Sequence, residues 1–150
     1  MRDELNAALK EAMRAKETTA LATLRLILAA LKDRDIAART KGQQDGIDDQ
    51  EILQMLQTMV KQRRESISMY EKGGRLELAE SEQAEIDVIE RFLPQQLSEE
   101  EIAEKVKELI GELGAEGLKE MGNVMGELRS RFAGQMDFGK ASAIVKQQLS

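Results

Sequence analysis

Histidine, cysteine and tryptophan are all missing from this 150-residue chain, and proline occurs once. Without cysteine there can be no disulfides, thiolate metal sites or cysteine nucleophiles. Without histidine, the most common general base and metal ligand are also absent. Aromatic residues make up 3% of the chain (Tyr70, Phe92, Phe132 and Phe138), so no aromatic platform is available for bases to stack on. The longest apolar run, Leu26 to Leu31, is far shorter than the roughly 18 to 20 residues of a membrane span. The opening Met-Arg-Asp-Glu-Leu lacks the apolar stretch of a signal peptide. Together these absences lead to the expectation of a cytoplasmic location, no membrane partner, no metal and no cofactor.

What remains is rich in helix formers. Hydrophobic residues are 41% of the chain, and with so few aromatics the core must be built from Leu, Ile, Met, Val and Ala. Apolar residues recur at helical spacing almost throughout, which predicts an all-α protein. A first helix is expected over about 2–16, with Leu5, Ala8, Leu9, Ala12 and Met13 recurring at helical spacing. A second runs from 18 or 19 to 40, with Leu21, Leu24, Ile27, Leu28 and Leu31 as its core stripe and Gly42 at its end. The loop 43–47 has no periodicity. Asp48 followed by Glu51 then reads as a capping box opening a third helix that stops at Gly73-Gly74. A fourth buries Leu78, Ile86, Ile89, Phe92 and Leu93 and ends before Pro94.

Pro94 is the expected boundary between a four-helix N-terminal part (1–93) and a smaller three-helix C-terminal part (94–150). Ser98 and Glu101 form a second capping box, opening a helix with Ile102, Val106, Leu109 and Ile110. Leu118, Met121, Val124, Met125, Leu128 and Phe132 share one face of the next helix. Asp137 caps the last.

Candidate chemistry is sparse. The isolated serines have no partner base, and Ser98 is explained as a cap. The run Glu80, Glu82, Glu85, Asp87, Glu90 reads as the solvated face of a helix. Asp45, Asp48 and Asp49 lack the spacing of a calcium loop. No catalytic residue is therefore assigned.

The basic residues are more informative. The net charge is −6, which argues against strong non-specific RNA binding. Residues 117–150 nevertheless hold five basic residues (Lys119, Arg129, Arg131, Lys140, Lys146) against three acidic ones, behind an acidic segment at 94–116 with seven Glu and two Lys. Lys119 and Asn123 lie one turn apart on the face away from the core, and Arg129 flanks Gly122 and Gly126. Each glycine costs about 1 kcal/mol of helix stability relative to alanine. Two uses fit that cost: close packing of another helix, which is the first expectation, or close approach of a sugar-phosphate backbone. Arg131, Lys140 and Lys146 add possible phosphate contacts. In the second helix, Arg25, Lys32 and Arg39 share a face with Asp35, which is expected to pair locally.

Several stretches, in order, resemble the GatB/YqeY family: Leu24-Arg-Leu-Ile-Leu-Ala-Ala-Leu-Lys32, Glu51-Ile-Leu-Gln, Val60-Lys-Gln-Arg-Arg-Glu-Ser-Ile67, Tyr70-Glu-Lys-Gly-Gly-Arg75, Phe92-Leu-Pro-Gln-Gln-Leu-Ser98 and Met121-Gly-Asn-Val-Met-Gly126. The resemblance covers nearly the whole chain. It implies an all-helical tail with a larger N-terminal and a smaller C-terminal part. It also implies tRNA handling beside a tRNA-dependent amidotransferase or an aminoacyl-tRNA synthetase, and carbon–nitrogen ligase chemistry with glutamine as amido donor. It marks Lys119, Gly122, Asn123, Gly126 and Arg129 as an RNA-contacting surface. The residue inventory favours a non-catalytic tRNA-binding accessory protein, with a protein–protein adaptor and a component of glutamine-dependent amidation as the alternatives.

Overall fold

A computed structural model describes all residues, Met1–Ser150. The chain is entirely helical: α1 (Arg2–Ala15), α2 (Thr18–Thr40), α3 (Asp49–Lys72), α4 (Leu76–Glu90), α5 (Glu99–Leu113), a 3-10 turn (Leu118–Glu120), α6 (Met121–Arg131) and α7 (Phe138–Leu149). Contacts group it into two compact units, Met1–Leu93 and Pro94–Ser150.

In the first unit, α2 packs against α1, α3 and α4, and α3 pairs extensively with α4. Leu5, Ile27, Ile52, Met55, Leu56, Ile86 and Ile89 are fully buried at its centre. The α1–α2 corner is made without glycine. Lys16 takes a left-handed conformation (φ 55°), and Glu17 N–H donates back to the Ala12 carbonyl at 3.0 Å.

The α2–α3 connection is tethered from a distance. The Asp35 carboxylate accepts from the Arg2 guanidinium (2.5 Å) and from Ile47 N–H (2.9 Å), and Arg2 also donates to the Ile47 carbonyl (2.8 Å). Asp35 therefore pairs across the fold with α1 rather than along its own helix face, and this brings Ile47 into the core at 5% exposure. Burial of the carboxyl opposes ionisation. The Arg2 hydrogen bond, the Ile47 amide and the charges of Arg2 and Arg39 outweigh that cost and hold Asp35 below the ordinary carboxylate range.

Two expectations for α4 are corrected. Leu78 is 41% exposed, because the inward stripe starts at Ala79 and continues through Ile86 and Ile89. The acidic run is also not wholly solvated. Glu82 falls on that inward stripe, between Ala79 and Ile86, and Glu85 accepts from Arg63 Nε at 2.9 Å while Glu82 stands 4.0 Å from it. Burial, together with the negative charge of Glu85, raises the Glu82 pKa against the opposing pull of Arg63.

The second unit has its own core, with Val106, Val124, Leu128, Met136 and Val145 fully buried. Its first helix is capped as the sequence indicates: Ser98 Oγ accepts from Glu101 N–H and the Glu101 carboxylate accepts from Ser98 N–H, both at 3.1 Å. The preceding strand of chain is pinned to the α6–α7 turn by Leu97 N–H to the Gln135 carbonyl (2.8 Å) and by Gln96 Nε2 to the Gly134 carbonyl (2.5 Å).

Candidate nucleic-acid interface

The basic C-terminal segment folds into the 3-10 turn, α6 and α7. Val124, Met125 and Leu128 face inward, while Lys119, Gly122, Asn123, Gly126 and Ser130 are exposed. At 100° per residue Gly122, Asn123, Gly126 and Ser130 lie on the side of α6 opposite the buried residues, a stripe roughly 12 Å long at 1.5 Å per residue, and the exposed Lys119 precedes it in the 3-10 turn. The side chains of Lys119 and Asn123 have no hydrogen-bond or ion-pair partner. Ser130 belongs to this face although its chemistry alone did not single it out; the helical spacing from Gly122 and Gly126 was the signal.

The glycine pair is not used for packing within the chain. A Cβ placed on Gly122 or Gly126 would meet no heavy atom within 4 Å. The expected helix–helix contact is thus absent, because α5 and α7 both pack on the opposite, Val124–Leu128 side. What remains is an open strip where an outside backbone can approach α6 closely, with a lysine and an asparagine beside it.

The other candidate residues divide. Arg129 sits on the flank nearest the glycines, with its guanidinium carbon 5.9 Å from the centre of the Phe138 ring, within reach of a cation–π interaction. Arg131 lies on the other flank and is tied to Glu112 of α5 (2.7 Å) and Glu127 (3.2 Å). Those hydrogen bonds and charges raise its already high pKa, so it belongs to an internal network rather than to the open strip. Lys140 pairs with Glu99 at 3.5 Å, both side chains well exposed, which leaves the ammonium available at little cost. Lys146 is exposed on α7 with no side-chain partner. The structure therefore puts Gly122, Asn123 and Gly126 on one exposed face of α6, with Lys119 just before it and Arg129 on its flank, and sets Arg131 apart. No group of three or more carboxylates is arranged to hold a metal ion, and no helix is long and apolar enough to cross a membrane.

An all-helical chain with this open glycine strip has recognisable relatives. It belongs to the Yqey-like protein family, which it matches over residues 2–149. It is similar to proteins named "Altered inheritance of mitochondria protein 41, mitochondrial" in several yeasts. Identity is 35% over 107 residues for that of Lachancea thermotolerans, covering 70% of this chain and 55% of the relative. For Eremothecium gossypii it is also 35% over 107 residues, covering 70% and 56%. For Saccharomyces cerevisiae (strain YJM789) it is 30% over 129 residues, covering 83% and 68%. The chain thus spans little more than half the length of the first of these relatives.

These names overturn the expectation of a cytoplasmic location, since the relatives are named as mitochondrial. A lack of cysteine is compatible with any compartment and therefore selects none.

Proposed function

We propose that this protein is a non-catalytic tRNA-contacting accessory factor that presents the exposed face of α6 to the sugar-phosphate backbone. The observation that carries this reading is the open strip at Gly122 and Gly126. Two helix-weakening residues with nothing packed on them within the chain are accounted for by close approach of something outside it. Lys119 and Arg129 supply positive charge at the two ends of the strip, and Asn123 supplies both donors and acceptors for sugar or base edges. On this reading, amide-forming chemistry belongs to a partner, an aminoacyl-tRNA amidotransferase or a synthetase, beside which the chain holds the tRNA body.

The exposed Leu118 (49%), next to the glycine strip, favours a second reading in which the same face docks a helix of a partner protein. Fluorescence anisotropy of labelled tRNA across a salt series separates the two. RNA binding should be saturable and should weaken with salt, and charge reversal at both Lys119 and Arg129 should reduce the slope of log affinity against log salt by about 1 to 2. Unchanged affinity of that variant at about 50 mM salt, where phosphate contacts are strongest, removes the α6 face as an RNA surface.

A further inference from the structure

Helix α2 carries a second apolar line on the side away from the core. Leu24, Ile27 and Leu31 point inward. On the opposite side Ala22, Ala29 and Ile36 recur every seven residues with Leu26 beside them. All four are exposed, Leu26 at 48% and Ile36 at 50%. At 100° per residue they fall within about 60° of a line through Ala29. A seven-residue repeat is the spacing that keeps one seam facing a partner helix along its length, and the alanines on the line permit close approach.

The charges on this face are divided between its two flanks. Arg25, Lys32 and Arg39 are also spaced by seven and form a row about 40° to 80° to one side of the line. Successive bases are about 10.5 Å apart at 1.5 Å per residue. The single acid, Asp33, stands about 40° to the other side. The face is therefore positive, three charges against one, in a chain whose net charge is −6. Asp35, the carboxylate expected to pair with this row, is turned to Arg2 and Ile47. Arg25 and Lys32 have no side-chain partner in the chain, and Arg39 donates to the Gln44 carbonyl at 3.3 Å.

Both an apolar seam and a one-sided row of bases have to be matched by whatever covers this face. RNA phosphates would meet the bases but leave Leu26 and Ile36 without apolar neighbours. A lipid surface requires more apolar bulk than two large side chains supply. Between paired helices, rows of charge flanking the seam choose the partner by sign. We propose that the outer face of α2 docks an amphipathic helix of another protein, one with acids along one flank of its apolar seam and a base on the other, opposite Asp33. The proposal does not rest on RNA binding by α6, with which it shares no residue.

The test uses the full chain and a labelled helical peptide of about three heptads, with Leu and Ala in its seam, Glu along one flank and one Lys on the other. A control peptide has Lys in place of each Glu. In fluorescence anisotropy the acidic peptide should bind with a Kd of roughly 10 to 100 μM, as suits a contact smaller than a standard interface. It should bind at least about tenfold more tightly than the control, by a margin that shrinks with salt. Arg25→Glu combined with Lys32→Glu, at two exposed positions without partners, should leave the circular dichroism unchanged and cancel the preference. Because the chain has no cysteine, the docking place can be read directly. Facing seam residues of helices packed about 8–10 Å apart lie within reach of a disulfide. Ala29→Cys should therefore cross-link to a peptide with Cys at its central seam position, and Ala7→Cys, exposed on α1, should not. No binding at about 1 mM peptide, equal affinity for the two peptides, or a preference that survives the double reversal overturns the proposal. Loss of tRNA affinity in the double reversal without peptide binding would assign the face to RNA, and self-association abolished by it would assign the face to a second copy; either result also overturns it.

Discussion

Replacing Gly122 and Gly126 together with alanine should make the protein more stable and a poorer RNA binder. Inside a helix, glycine is less favourable than alanine by roughly 0.5 to 1 kcal/mol, because its backbone loses more freedom on folding. That gain is realised only where the new methyl group meets nothing, and at both positions the space within 4 Å is empty. The double variant should therefore gain about 1 to 2 kcal/mol, or a rise in Tm of roughly 2 to 8 °C for a chain of this size. Thermal unfolding followed by circular dichroism measures the gain. If the strip exists to let an outside backbone approach, two methyl groups would hold that backbone away and tRNA affinity should fall while Tm rises. A lower Tm would mean that the methyl groups do meet something and that the open strip was misread. A higher Tm with unchanged affinity would leave the glycines without the role proposed for them.

Further outcomes follow from the internal contacts. Gly46 has φ +81°, and a Cβ there would run into the Asp35 carboxylate; Gly46→Ala should cost about 2 to 4 kcal/mol in a urea melt, and a neutral result would mean that the tether is dispensable. Asp35 and Glu82 should respond to acid in opposite ways. The lowered pKa of Asp35 contributes stability that is present above its unfolded pKa and is lost as pH falls through its folded value. Asp35→Asn should therefore destabilise at pH 7 by an amount that shrinks towards about pH 3. The raised pKa of Glu82 means that its ionisation weakens the fold above the folded value, so Glu82→Gln should stabilise at pH 7 and lose that advantage below the unfolded value. Urea midpoints at several pH values decide both, and parallel trends would refute the assignment. Arg131→Ala should leave tRNA affinity unchanged in the anisotropy assay and shift the urea midpoint little, as expected for exposed ion pairs, since its guanidinium already serves Glu112 and Glu127. A loss of affinity would return Arg131 to the binding surface.

Most helix ends could be read from the sequence because local chemistry sets them. Ser98 and Glu101 cap each other, whereas of the box expected at Asp48 only one half forms: its carboxylate accepts from Glu51 N–H at 2.8 Å, with no return bond from the Glu51 side chain. Leu118 was misplaced for an equally local reason. An α-helical count puts it on the core face, but a 3-10 turn has three residues per turn, so the side chain rotates out of line and into solvent. Ile47 was invisible because a single apolar residue in a loop has no period, and its burial depends on Arg2 and Asp35, which are 45 and 12 residues away. For the candidate site, the common face of Gly122, Asn123 and Gly126 follows from helical arithmetic alone. What the arithmetic could not supply was which side α5 and α7 would occupy. That choice left the glycines open and drew Arg131 to Glu112, 19 residues away on another helix.

The tether between Arg2, Asp35 and Ile47 also divides the α2–α3 connection into halves with different evolutionary prospects. From Gly46 onward each backbone position is committed, because the Asp35 carboxylate fills the space beside Gly46 and the Ile47 amide and carbonyl are both engaged. Before it, residues 41–45 are exposed, and an added Cβ at Gly42 would meet nothing within 4 Å. Doubling the length of a flexible loop costs only about 0.6 kcal/mol. Among relatives, insertions and deletions in this connection should therefore collect between Lys41 and Asp45, while the spacing from Gly46 to the start of α3 stays fixed.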